Sequence, residues 1–111
     1  MSGHSPRPGS LEISSALVDD AVTISLQGEL DLSSASRMEE RFAAIDEQRP
    51  SRVVVDLGGL AFMDSTGLRA LLLADELARE HNYELVLLPG QEAVQRVFEV
   101  TGALDVLRFE L

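Results

Sequence analysis

The chain has 111 residues, of which 45% are hydrophobic and 25% are charged, and its formal net charge is −10. This length predicts a single domain, and the negative charge argues against binding to nucleic acid or to an anionic membrane. The sequence contains no cysteine and no lysine. Those absences exclude a disulfide scaffold, a Cys-based zinc site, a P-loop and Schiff-base chemistry.

The first ten residues, MSGHSPRPGS, are rich in serine, proline and glycine. We therefore predict a flexible N-terminal tail over residues 1–10 and a domain over residues 11–111. The sequence shows neither a signal peptide nor an apolar run long enough to cross a bilayer, so the expected location is the cytoplasm.

Two short strands and a helix are predicted next. Apolar and polar residues alternate in the segment AVTISLQ, which is typical of a half-buried strand, and two aspartates mark the turn before it. After GELD the period changes, and apolar residues recur at helical spacing: Ala35, Met38, Phe42 and Ile45. Ser36 with Glu39 fits a capping box for this helix. Ser33 or Ser34 is the alternative cap.

The second half of the chain alternates strands and helices. The segment RVVVDL predicts a strand buried on both faces, and ELVLL predicts another buried strand. A helix is predicted over STGLRALLLADELAREH, a further helix ends at Gly102, and VLRFEL closes the chain as a short strand. The order β-β-α-β-α-β-α-β predicts an α/β domain, in which about three to four helices cover a mixed sheet of about four to five strands.

A candidate site follows the strand that ends at Asp56. A glycine-rich connection, the longest predicted between a strand and a helix here, leads to Asp64-Ser65-Thr66-Gly67. Ligands and partners gather at the carboxyl ends of strands in open α/β sheets, and helix N-termini favour anions, so a hydroxyl there is well placed to carry a phosphate. Asp, Ser and Thr are also the preferred N-cap residues, so the segment is either a cap alone or a cap beside a working hydroxyl.

The helix behind this segment has two predicted faces. At about 100° per residue, the core face contains Ala70, Leu73, Ala74, Leu77 and Ala78. Leu68 and Leu72 fall on the solvent side with Ser65 and Arg69. Two leucines beside an accessible hydroxyl indicate a docking surface. The alternative is that they pack beneath the neighbouring helix or loop.

Other candidate residues carry less weight. Asp31 follows the second strand and, taken alone, is a turn or cap residue. His81 lies about four helical turns from Ser65, too far to be its general base. The absence of lysine argues against Asp56 as a receiver-type phosphoacceptor, and no G-x-S-x-G elbow supports a hydrolase. We therefore predict no catalytic residue and no metal ligand.

Three segments at these spacings carry a resemblance to a known family: LQGELD, VVVDLGGLAFMDSTGL and VFEVTGALDVLRF. They resemble a STAS domain, and more narrowly the stand-alone bacterial anti-sigma factor antagonists. The similarity covers nearly the whole chain after the tail, and the D-S-T-G-L element is its most specific part.

The resemblance implies a partner switch and a regulatory protein rather than an enzyme. In this family the unphosphorylated antagonist binds an anti-sigma factor, usually a GHKL-type serine kinase, and frees a sigma factor to activate transcription. The kinase phosphorylates the serine that corresponds to Ser65, with Thr66 as the second choice, and a PP2C-type phosphatase reverses the step. No cofactor is implied for this chain, because the kinase brings the nucleotide.

The resemblance and the helical-face argument together predict a partner-binding set: Asp31, Asp64, Ser65, Thr66, Gly67, Leu68, Arg69 and Leu72. We expect a monomer or a weak dimer. Two alternative functions remain open at this point. One is a STAS signalling module in another partner-switching or stressosome-like assembly, and the other is a small ligand-binding domain.

Overall fold

A computed structural model describes residues 10–110. Its elements, in chain order, are β1 (Leu11–Val18), β2 (Ala21–Leu30), α1 (Ala35–Glu47), β3 (Arg52–Met63), α2 (Ser65–Glu80), β4 (Glu84–Leu88) and α3 (Glu92–Thr101). A short 3-10 turn, Ala103–Asp105, follows α3. The predicted tail lies outside the described residues except for Ser10.

The strands form one four-stranded sheet in the order β1-β2-β3-β4. β1 pairs antiparallel with β2, whereas β2, β3 and β4 are parallel to one another. The hairpin between β1 and β2 closes over two residues, and Asp19 adopts the left-handed conformation (φ 53°) that aspartate tolerates better than most residues. The mixed sheet and the α/β class are as predicted.

All three helices contribute to a single core against one face of the sheet. The four apolar positions predicted for α1 are all buried: Ala35, Met38, Phe42 and Ile45. They join strand and helix side chains that include Ile24, Leu26, Val55, Leu71 and Phe98. Along β2 the buried residues alternate with more exposed ones, which is typical of a strand with one covered face.

The structure corrects the predicted end of the third strand. β3 does not stop at Asp56 but continues through Gly58 and Gly59 to Met63, pairing with β2 up to the last residues of both strands. Two register shifts accommodate the extra residues. A Cβ at Gly59 would lie 2.7 Å from the Leu26 carbonyl oxygen, so this glycine marks a close backbone approach inside a strand. The long loop predicted before α2 is wrong.

Three smaller predictions also differ from the structure. Val54 is only half-buried, so β3 is not covered on both faces. The predicted capping box is wrong, because the N-cap of α1 is Ser34, one of the two alternatives, although its side chain makes no cap hydrogen bond. The predicted last strand is reduced, within the described residues, to an isolated bridge between Leu87 and Phe109.

Candidate functional site

The site is built where two parallel strands end side by side. Leu30, the last residue of β2, pairs with Met63, the last residue of β3. The backbone N–H of Asp64 donates to the carbonyl oxygen of Leu30 at 3.2 Å. Asp31 and Asp64 therefore leave neighbouring strands at the same edge of the sheet, which brings together two of the predicted site residues.

Asp64 is the N-cap of α2. Its backbone is extended, and its Oδ1 accepts a hydrogen bond from the N–H of Gly67 at 2.9 Å. Its Oδ2 accepts from the N–H of Leu32 at 3.3 Å. The carboxylate therefore satisfies one free donor of the helix and also holds the turn that follows β2.

Ser65 is the first residue of α2 and its side chain is exposed, whereas Thr66 is half-buried. Within residues 10–110, no hydrogen bond involves the Ser65 hydroxyl. Arg69 lies four residues further along the helix and is also exposed. An accessible hydroxyl thus stands at the positive end of the helix dipole, one turn from a guanidinium.

Asp31 organises the turn into α1. Its Oδ1 accepts hydrogen bonds from the N–H of Ser33 at 3.0 Å and from the Ser33 hydroxyl at 2.8 Å. The buried Ser34 hydroxyl accepts from the Asp31 N–H at 3.0 Å and donates to the Glu29 carbonyl oxygen at 2.9 Å. Asp31 is therefore a turn residue, as it would be taken alone, and it also lies beside the Asp64 cap.

Gly67 sets how closely α2 approaches the end of β2. It is buried, and a Cβ there would lie 2.4 Å from the carbonyl oxygen of Leu30. No side chain fits at that distance without a backbone shift. Its role in the described structure is consequently to allow close packing rather than to present a surface.

The docking pair Leu68 and Leu72 is a wrong prediction as far as exposure is concerned. Leu68 is only 6% exposed and Leu72 packs against the core, whereas Leu73, predicted to be buried, is 39% exposed. The covered face of α2 is therefore turned towards Leu68 relative to the predicted core face. At the C-terminal end of the helix, Arg79 pairs with Asp75 and also donates to the Val106 carbonyl oxygen at 2.9 Å, so the segment after α3 contacts that end of α2.

Two exposed apolar residues beside the site escaped the sequence analysis. Leu32 is 78% exposed and Phe62 is 47% exposed. Leu32 stands in the turn held by Asp64, and Phe62 comes two residues before that cap. Leu32 had no clear sequence signal, because it precedes α1 and stands three residues before Ala35, a spacing that also fits the apolar period of the helix. For Phe62 a sequence signal exists only if β3 is extended to Met63. Neighbouring strand residues point to opposite faces, so a buried Met63 would place Phe62 on the other face.

A polar cluster occupies the opposite end of the helices. Asp46 on α1 is 6% exposed, and its Oδ1 lies 2.8 Å from His81 Nδ1 and accepts from the Tyr83 hydroxyl at 2.9 Å. Burial alone would raise the pKa of Asp46, but the hydrogen bonds from His81 and Tyr83 and the nearby charge of Arg49 outweigh it and lower that pKa. Burial and the bond to Asp46 raise the pKa of Tyr83. His81 is thus engaged at the C-terminal end of α2, away from Ser65.

The family of the chain follows from comparison with known proteins. The family model of the STAS domain matches residues 12–111. The chain belongs to the STAS domain family. BtrV of Bordetella bronchiseptica is 36% identical to this STAS domain protein over 89 residues, which are 80% of this chain and 77% of BtrV. The anti-sigma-B factor antagonist of Listeria monocytogenes is 30% identical over 91 residues, 82% of this chain and 80% of that protein.

Solved structures share the architecture of this STAS domain protein. An anti-sigma factor antagonist from Mycobacterium paratuberculosis aligns with a TM-score of 0.85 at 24% identity, covering 95% of this chain and 89% of that chain. The phosphorylated form of the Bacillus cell fate determinant SpoIIAA aligns with a TM-score of 0.69 at 20% identity, covering 91% of each chain. These alignments confirm the STAS fold predicted from the sequence.

Two other features are absent from residues 10–110, the part of the chain that the structure describes. In this part of the chain no helix is both long and apolar enough to cross a membrane. The same residues contain no group of three or more histidine or carboxylate side chains that could hold a metal ion.

Proposed function

We propose that this STAS domain protein is an anti-sigma factor antagonist whose binding is switched off by phosphorylation of Ser65. The observation that carries the proposal is the exposed Ser65 hydroxyl, which follows the Asp64 cap at the first position of α2 and makes no hydrogen bond to any of residues 10–110. The name of the Listeria monocytogenes relative supports the antagonist role. The unphosphorylated form would bind an anti-sigma factor in the cytoplasm and release a sigma factor.

The proposed partners are those of the family. The anti-sigma factor is a GHKL-type serine kinase that phosphorylates Ser65, and a PP2C-type phosphatase removes the phosphate. Ser65 is preferred over Thr66 because a kinase must reach the hydroxyl, and Thr66 is half-buried whereas Ser65 is exposed. The chain itself needs no cofactor for this switch.

The switch would act through local charge. A phosphoserine adds roughly −1.5 to −2 charge at neutral pH, next to Asp64 and at the edge that also bears Asp31. Two like unit charges about 8 Å apart near a protein surface repel by about 2 kcal/mol. Burial of this edge under a partner removes water that screens the charges, so the repulsion increases on binding and weakens the complex. The N-terminus of α2 favours the phosphate in the free protein, so the partner can be expelled without refolding.

The proposed contact surface differs from the set expected from the sequence. Leu32 and Phe62 replace Leu68 and Leu72 as the apolar contacts, because both are exposed, Leu32 lies in the turn that Asp64 holds, and Phe62 comes two residues before that cap. Asp31, Asp64, Thr66 and Arg69 remain in the set as polar neighbours of Ser65. Gly67, Leu68 and Leu72 contribute indirectly, because they pack α2 against the rest of the fold. We call Leu32, Phe62 and Ser65 the switch surface.

The test uses the unphosphorylated chain as bait for affinity capture from its native host. Mass spectrometry then identifies the bound protein and the phosphorylated residue. We expect a serine kinase among the captured proteins, and incubation with that kinase and ATP should modify Ser65 and release the complex. Modification elsewhere, with Ser65 untouched, would contradict the assignment.

Two further measurements test the alternative functions. Formation of large homo-oligomers on size exclusion would favour a stressosome-like scaffold. Labelling of Ser65 by a serine-reactive phosphonate would favour a ligand-binding or enzymatic site.

A further inference from the structure

Helices α1 and α2 leave an open groove between them, which has a volume of about 280 Å³. Its floor is apolar and consists of Phe42, Ala70, Leu73, Ala74 and Leu77. Leu73 is 39% exposed in this groove, the largest departure of α2 from its predicted core face. The groove therefore presents apolar surface that the described fold does not cover.

The rim of the groove is acidic. Glu39 on α1 and Glu76 and Glu80 on α2 line it, and all three are exposed. The groove has no basic lining residue, and within residues 10–110 none of these carboxylates forms an ion pair. The contact between Asp46 and His81 places the C-terminal ends of both helices together, so their dipoles add to the negative potential at the Glu80 end.

We propose that this α1–α2 groove binds a basic amphipathic helix of a partner protein. Apolar side chains of that helix would lie on the floor beside Leu73, and its arginine or lysine side chains would reach the three glutamates. Long basic side chains suit such a site because their aliphatic stems cover apolar surface while their charged ends stay at the rim.

The dimensions of the groove agree with a helical ligand. The stretch of α2 from Ala70 to Glu80 is about 15 Å long, which corresponds to about three turns of a second helix. Amphipathic helices bind grooves of this kind through apolar anchors at i, i+3 or i+4, and i+7. The groove begins beyond the first turn of α2, so this inference goes beyond the switch proposed at Ser65 and does not depend on it.

The probe is a synthetic helical peptide of about 14 residues, with leucines at i, i+3, i+4 and i+7 and arginines on both flanks. One control peptide has glutamate in place of arginine, and the other has serine in place of leucine. Titration into the isotope-labelled protein, followed by NMR, should shift amide signals at residues 70–80 and 39–42. Neither control peptide should bind, and about 0.5 M salt should weaken the arginine peptide markedly.

Charge reversal separates the groove from the overall negative charge of the chain. The double variant Glu76→Arg and Glu80→Arg should weaken peptide binding by about tenfold or more, because it replaces two attractions with two repulsions. The matched control reverses Glu92 and Glu99, two exposed glutamates of α3, and should change the affinity much less. The variant Ser65→Asp should bind the peptide as the parent chain does, which keeps this test separate from that of the switch.

Several outcomes would overturn the inference. Absence of binding at about 1 mM peptide would do so, since that concentration half-fills a site with a Kd of about 1 mM. An equal loss of peptide affinity on reversing Glu92 and Glu99 would show that the attraction comes from the net charge of the chain and not from the groove. Signal shifts confined to another surface would place the peptide elsewhere. Sedimentation showing a dimer that Leu73→Ser dissolves would assign the groove to a second copy of the chain.

Discussion

The carboxylate of Asp64 accepts a hydrogen bond from the backbone N–H of Leu32 at 3.3 Å, across a separation of 32 residues. Its other oxygen accepts from the N–H of Gly67 at 2.9 Å. One side chain therefore joins the turn after β2 to the helix after β3. The position of Ser65 relative to that turn depends on this carboxylate.

Replacing Asp64 by alanine should lower the free energy of unfolding by about 1–2 kcal/mol, because the helix loses its cap and the turn loses its anchor. Urea unfolding measures the change. Asp20→Ala is the matched control, since Asp20 is exposed and only its carbonyl oxygen accepts hydrogen bonds in the described residues. Equal losses in the two variants would show that the cap contributes nothing specific.

Gly67→Ala should be destabilising by about 1–3 kcal/mol, because its Cβ would lie 2.4 Å from the Leu30 carbonyl oxygen and α2 must shift away from β2. Gly58→Ala is the control, because its Cβ would meet only the side chain of Asp56, at 3.1 Å. Thermal unfolding of the two variants makes the comparison. A tolerated alanine at position 67 would mean that α2 does not need this close approach.

Leu68→Ala should cost about 2–4 kcal/mol of unfolding free energy, as expected for a buried leucine. Leu32→Ala should change the same quantity by less than about 0.5 kcal/mol, because its side chain is largely in water. Binding to the captured anti-sigma factor should show the opposite order. Leu32→Ala should weaken binding more than Leu68→Ala does, because loss of the Leu32 side chain removes a contact. If Leu32→Ala binds as well as the parent chain, the switch surface does not include this residue.

Ser65→Asp should leave the fold intact and change the unfolding free energy by less than about 1 kcal/mol, because the favourable interaction of its charge with the start of α2 is opposed by the neighbouring carboxylates of Asp64 and Asp31. The same variant should bind the anti-sigma factor more weakly than Ser65→Ala does, which calorimetry can measure. Ser14→Asp adds the same charge at an exposed residue of β1 and serves as the control. Equal weakening by both aspartates would point to net charge rather than to the site.

Asp46 should make stability depend on acid pH. Its folded-state pKa is lowered below the ordinary value of 3.8, so its contribution is present above that value and is lost as the pH falls through the lowered pKa. Asp46→Asn should reduce the unfolding free energy at pH 7. The difference between parent and variant should shrink as the pH falls below about 4. A difference that stays constant across this range would show that the charge of Asp46 is not what stabilises the cluster.

Much of the fold could be predicted from local patterns. The apolar period of α1 identified four buried residues, and the alternation in β2 identified its inward face. These patterns suffice because each element has one covered side and one open side. The course of β3 could not be predicted in the same way, because glycines usually mark a loop, and only the pairing with β2 turns Gly58-Gly59 into strand.

The site could be predicted in its polar part but not in its apolar part. Asp64 and Ser65 are recognisable because a cap and a helix start have a local signature. Leu68 and Leu72 were wrongly predicted to be exposed, because the rotation of α2 about its axis depends on the elements that pack beside it. The contact between Arg79 and Val106 joins residues far apart in the chain, and no helical period contains that information.

Leu32 is fixed in place through its backbone N–H, and its side chain takes no part in that bond. Any residue other than proline could make the same hydrogen bond, so position 32 can change its chemistry while the turn around it stays the same. A residue with that freedom is suited to diversify between related proteins. Variation at position 32 would let related proteins bind different partners without altering the shared fold.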